Sequence, residues 1–140
     1  MRILAVDPGE KRLGIAISDP TATIASPLTV LKHVSRAEDA AAIVRLAVEH
    51  SAGMIIVGTA LDDEGEETLQ SRKAARLAEV IRTLTDLPVA LWDESGSTQE
   101  ARAARLAMGV SRKKRRGHMD DLAAAVILQS YLDARDRDSD

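Results

Sequence analysis

No cysteine occurs in the chain. Disulfides, thiolate zinc sites and a cysteine nucleophile are therefore excluded, and the absence fits a reducing compartment. Phenylalanine is missing too, and one Trp and one Tyr are the only aromatics. Binding of nucleic acid by stacking bases on aromatic rings is thus not expected. Long apolar runs are also lacking. The opening MRILAVDPG reaches an acid at Asp7, too soon for a signal peptide or a membrane span. A soluble, cytoplasmic protein with no membrane partner is expected. What is present is a 140-residue chain, 45 % hydrophobic, its apolar side chains nearly all Ala, Val, Ile and Leu. That length suits one domain, 1–140, and that composition a globular one.

The formal net charge is −3, yet charge is unevenly spread. Arg112, Lys113, Lys114, Arg115 and Arg116 form an unbroken cationic run, whereas residues 62–67 are mostly acidic. A nucleic-acid binder needs only a local positive patch beside its site. On charge alone the run reads equally as a polyanion contact or as a solvated flexible loop.

Periodicity gives the elements. Residues 3–6 and 14–17 are apolar runs joined by the turn-rich DPGEKRLG, which reads as a hairpin; residues 27–31 can supply a third strand. Ser35 and Glu38 have capping-box spacing ahead of a helix over 36–50. A buried strand at 54–57, a helix over 66–85 and a strand at 89–92 follow. Ser97 and Glu100 form a second capping box before a helix at about 98–108. The cationic loop comes next, and a last helix over 118–133 is apolar nearly all round, which implies burial. The polar stretch 133–140 is expected to fray. The order indicates an α/β fold, a mixed central sheet flanked by helices. In such sheets ligands sit at the carboxyl ends of the strands.

Acids stand at those ends. Asp7 closes the first strand, and Asp93 and Glu94 close the last. Strand alternation lets at most one of Asp93 and Glu94 face a shared site. Asp120 and Asp121 begin the last helix, where the macrodipole alone would favour acids. Asp120 shares a face with Ile127 and Tyr131, but a helix apolar on most sides separates Asp120 from Asp121 only weakly. Each acid singly has a structural explanation as turn former, loop acid or dipole partner. Gathered together, carboxylates would repel, and a divalent cation would relieve the repulsion. Oxygen-only ligation suits Mg²⁺ or Mn²⁺. Two such ions ~3.5–4 Å apart can activate a water and stabilise a leaving oxygen in phosphodiester cleavage.

Four segments carry a family resemblance: MRILAVDPGEKRLGIAISD at 1–19, MIIVGTALDDEG at 54–65, VALWDESGSTQEA at 89–101 and MDDLAAAVILQSYL at 119–132. In order and spacing they resemble the YqgF family, RuvC-like nucleases ascribed to pre-16S rRNA and alternatively to Holliday junctions. The resemblance spans nearly the whole chain. It implies an RNase H-like fold, with Asp7, Glu94 and Asp120 as the catalytic, metal-holding acids. It further implies 5′-end maturation of small-subunit ribosomal RNA, with RNA favoured over DNA and ribosomal precursor particles as partners. Lys11 and Arg12 would meet phosphate beside Asp7, by resemblance and charge. Two departures stand out. The family's Asp-Glu-Arg segment reads Asp93-Glu94-Ser95 here, which removes a natural phosphate contact that the 112–116 run would have to replace. Its Gly-Leu-Pro-Leu reads Gly58-Thr59-Ala60-Leu61.

Three other readings compete. DPGEKRLG resembles the phosphate loop of sugar kinases and actin-like ATPases, but those need two domains and a second glycine-rich loop. A non-catalytic ribosome-assembly or nucleic-acid-binding module would account for the altered middle segment, although clustered acids without a metal are a liability. A junction resolvase would work as a two-fold dimer, and the sequence leaves monomer and homodimer equally open.

Overall fold

In a computed structural model the chain is described over residues 1–93 and 112–138, with side chains over 1–93 and 122–136. Strands β1 (Arg2–Pro8) and β2 (Arg12–Ser18) form the expected hairpin. Its turn is tight, the Gly9 N–H donating to the Arg12 carbonyl at 2.9 Å. A Cβ on Gly9 would lie 2.5 Å from that oxygen, so this position takes only glycine. Strand β3 (Ala25–Lys32) pairs antiparallel with β2. Strands β4 (Ala52–Thr59) and β5 (Val89–Asp93) run parallel to β1, giving a sheet of order β3-β2-β1-β4-β5.

Helices α1 (Arg36–Glu49) and α2 (Leu69–Leu84) make the crossovers. Ser35 caps α1 as expected, its Oγ accepting from the Glu38 N–H at 3.1 Å. Helix α2 starts at Leu69, later than 66. Thr68 is its cap, and Ser71 returns the bond to the Thr68 N–H at 2.8 Å. Glu66 stays outside because Asp62 holds the preceding turn, accepting from the Glu64 and Glu66 N–H groups at 2.9 Å each. The expected helix at 98–108 lies outside the described residues.

The last helix, α3, spans Arg112–Asp138 and corrects the expected layout twice. Residues 112–116 are its opening turns, not a loop; Lys and Arg are good helix formers, and no proline interrupts them. Asp120 and Asp121 consequently sit in its third turn, where the N-terminal macrodipole no longer explains them. The polar stretch from 133 is helical through Asp138. Among the described residues no helix is long and apolar enough to cross a membrane.

Strand alternation divides the core. Leu4, Val6, Leu13, Ile15, Ile55 and Val57 face α1 and α2, meeting Ile43, Leu77 and Ile81. Ile3, Ala5, Ala16 and Ile56 face the other way, toward Ala124, Leu128 and Leu132 of α3. Among the described residues the sheet is therefore covered on both sides, by α1 and α2 on one and by α3 on the other.

Candidate active site

Ile3 and Ala5 face α3, so the alternation places Asp7 on the same side, at the carboxyl end of β1. It is half-buried. Across β2 its partner is Gly14. On the other flank Val6 pairs with Val57, which puts Gly58 beside Asp7, and Gly58 pairs with Trp92. A row Gly14–Asp7–Gly58–Trp92 thus crosses the sheet at its carboxyl end. The two glycines remove side chains on either side of the carboxylate. Helix α3 comes down directly on this row: a Cβ at Gly58 would stand 2.6 Å from Ile127 Cδ1. Neither glycine was singled out from the sequence; pairing each with Asp7 required the register.

Trp92 braces the arrangement. Its Nε1–H donates to Ser130 Oγ at 3.1 Å, and its ring meets Tyr131 edge-on, centroids 5.4 Å apart. The Tyr131 hydroxyl donates to Met54 Sδ at 3.6 Å. Ile127 therefore sits over Gly58 while Tyr131 sits over Met54, nearer the start of β4. The helix runs antiparallel to β1 and β4, and its N-terminal part reaches the carboxyl end of the sheet. Asp120 precedes Ile127 by seven residues, ~10 Å along the axis at 1.5 Å per residue, so its backbone belongs to the same end as Asp7. The cationic run 112–116 lies still farther in that direction along α3.

Asp93 points elsewhere. It pairs with Thr59 on the face opposite Trp92, and its Oδ1 accepts from the Leu61 N–H at 3.4 Å. Its partner in the expected either-or choice, Glu94, lies outside the described residues. Lys11 and Arg12 are exposed at the β1–β2 turn, immediately after Asp7. Among the described residues no three His, Cys, Asp or Glu side chains come together around one point. Asp7 alone of the three expected ligands has a described side chain. An oxygen donor half-buried at a strand end, between two residues that carry no side chain, fits a hard divalent cation.

Two strands of comparison bear on this geometry. A protein of Thermoanaerobacter pseudethanolicus named "Putative pre-16S rRNA nuclease" is 40 % identical over 136 residues, covering 96 % of this chain and 98 % of that one. A protein of Syntrophus aciditrophicus with the same name is 40 % identical over 134 residues, 96 % and 89 % of the two chains. Among solved structures, T. thermophilus RuvC in complex with a Holliday junction substrate superposes with a TM-score of 0.63 at 18 % identity, covering 96 % of this chain and 95 % of that one. That likeness gives the fold as the RNase H-like one of RuvC resolvases. Residues 1–134 match the family model described as "RuvX: Holliday junction resolvase", and by that match and the identity to its relatives the chain belongs to the RuvX family.

Proposed function

We infer that the chain is a metal-dependent nuclease that hydrolyses phosphodiester bonds in the 5′-end maturation of pre-16S ribosomal RNA, a task carried out in the cytoplasm. The observation that carries this reading is the position of Asp7, half-buried between Gly14 and Gly58 at the sheet end toward which α3 runs. The names of the relatives support the nuclease class and the RNA substrate.

Asp7, Glu94 and Asp120 would hold Mg²⁺ or Mn²⁺. When bound, such ions supply a nucleophilic water and stabilise charge on the leaving oxygen. The protein's own contribution is orientation. Asp7 stands on a strand bonded on both sides, which fixes its backbone at the end of the sheet. Lys11, Arg12 and the run Arg112–Arg116 contribute phosphate contacts around the acids; the run takes over the grip lost with Ser95 in the Asp-Glu-Ser segment. The all-oxygen ligand set agrees with a chain that has no cysteine.

Incubation of the purified protein with a labelled precursor rRNA 5′ fragment, unrelated single-stranded RNA and a four-way DNA junction tests this. Each substrate is run in Mg²⁺, Mn²⁺ or EDTA. The expected result is metal-dependent cutting of the precursor fragment, lowered at least ~100-fold by Asp7→Asn, since the remaining acids cannot restore the lost ligand. Cutting confined to the junction selects the second reading, a branched-DNA resolvase, which the family description and the RuvC-like fold favour. Folded protein that cuts nothing in any metal removes the enzyme and leaves an assembly factor.

A further inference from the structure

The β1–β2 turn separates two clefts that share Glu10 and His33 in their walls. The larger, about 610 Å³, is bounded by Lys11 and Lys32 on the β2–β3 side. The smaller, about 310 Å³, opens on the α1–α2 side of the sheet and is bounded by Arg36, the first residue of α1, and Lys73 of α2. Five permanent cations, Lys11, Arg12, Lys32, Arg36 and Lys73, and one histidine thus face one acid. Lys11, Lys32, Arg36 and Lys73 form no ion pair among the described residues, so no described acid neutralises them.

His33 is held in place from beneath. Asp39 of α1 is only 6 % exposed, and one of its oxygens meets His33 Nδ1. Its other oxygen accepts from the Val34 N–H at 3.0 Å. The carboxylate can only accept, so Nδ1 donates, and Nε2 is left on the cleft side of a ring that remains 43 % exposed. A loop histidine anchored by a buried acid loses little freedom when it binds a ligand.

We propose that these joined clefts form a track for the phosphodiester backbone of a nucleic-acid strand, leading it from the Asp7 end of the sheet onto the α1–α2 side. Pro8 and Gly9, which follow Asp7 directly, line the smaller cleft, so the track begins one residue from Asp7, around the end of the sheet from the face on which Asp7 stands. The chemistry favours a strand over a free nucleotide. Among the described residues the walls bear no Trp, Tyr or Phe, and their apolar side chains are Pro8, Val30 and Leu77. One imidazole is the single aromatic ring among the described wall residues, whereas the cations are spread over two clefts as successive phosphates are. The inference deepens the nuclease reading, but binding measured in EDTA does not depend on cleavage, so either can fail without the other.

The test is fluorescence anisotropy of a labelled 12-nucleotide RNA titrated with the full chain in EDTA across a range of KCl. Arg36→Gln/Lys73→Gln is compared with Arg45→Gln/Arg135→Gln, which removes equal charge from exposed helix positions outside both clefts. For two lost contacts at ~0.7 each on a single strand, the log–log salt slope should fall by roughly 1.4, with binding roughly tenfold weaker. The control pair should change affinity less than about twofold, being remote from the strand. In the unsubstituted chain, the RNA should also shift the His33 Nε2 resonance. Equal losses in the two double variants, or an unmoved Nε2 signal at saturating RNA, would overturn the track.

Discussion

Asp19 gathers the turn between β2 and β3 together with Gln129 of α3, which accepts from the Ala25 N–H and donates to the Thr23 carbonyl. The Asp19 carboxylate accepts from the Thr23 N–H at 2.8 Å, from the Ile24 N–H at 2.9 Å and from the Thr21 hydroxyl. The Ile24 N–H, followed by the Thr21 hydroxyl and the Thr23 N–H, holds this carboxyl far below the usual carboxylate range. Because the folded value lies below the unfolded one, near 3.9, the stabilisation is complete above about pH 4. It is lost as pH falls further toward the folded value. Urea midpoints of the parent chain and Asp19→Asn, compared between pH 6 and 3, should keep a constant separation down to about pH 4 and converge below it. A gap that widens on acidification would show the carboxylate to be dispensable. At this scale the sequence was informative wherever a residue's position in a strand decided its role. Asp7 could be read as an acid ending a strand. The either-or of Asp93 and Glu94 followed from alternation, and Asp93 indeed turns away from α3. The His33–Asp39 pair could not be read, because nothing in a spacing of six residues across a loop and a helix start brings two side chains together.

At the scale of elements, the contact between Gly58 and Ile127 governs how α3 sits on the sheet. A valine at 58 would collide with Ile127, and overpacking of this kind costs about 1–3 kcal/mol. Gly58→Val should therefore lower the urea midpoint and also reduce cutting, by shifting the helix that carries Asp120. Ile127→Ala added to it should recover part of both, as coupled neighbours do. Additive losses in the double variant would mean that α3 does not seat on Gly58. The strands and α1 were legible because alternation and a Ser cap are strong local signals. The start of α2 was misplaced by three residues, since serine occupies the place in its capping box where glutamate is usual. The beginning of α3 was hidden for the opposite reason: a run of Lys and Arg carries neither cap nor apolar period, although it favours helix intrinsically. That misplacement also made Asp120 look like a dipole partner, and its third-turn position now removes that explanation.

For the molecule as a whole, the sheet keeps two cores apart among the described residues, and Asp7 stands on the α3 side. Ile81 is fully buried on the α1–α2 side and Leu128 on the α3 side. Truncation of either to alanine should cost about 2–5 kcal/mol, measurable by urea denaturation. Under conditions where both variants remain folded, Leu128→Ala should lose cutting rate while Ile81→Ala retains it. Equal retention would separate the site from α3. The sheet order itself could not be read from the sequence, because pairing β1 with β4 joins segments some 50 residues apart through contacts that no local pattern encodes. The same long reach has a consequence during synthesis. Helix α3 lies against the three earliest strands, and Ser130 and Tyr131 hold Trp92 of β5. Helix α3 is the last described element to leave the ribosome, so the face of the sheet that carries Asp7 stays uncovered until nearly all of the described chain has been made.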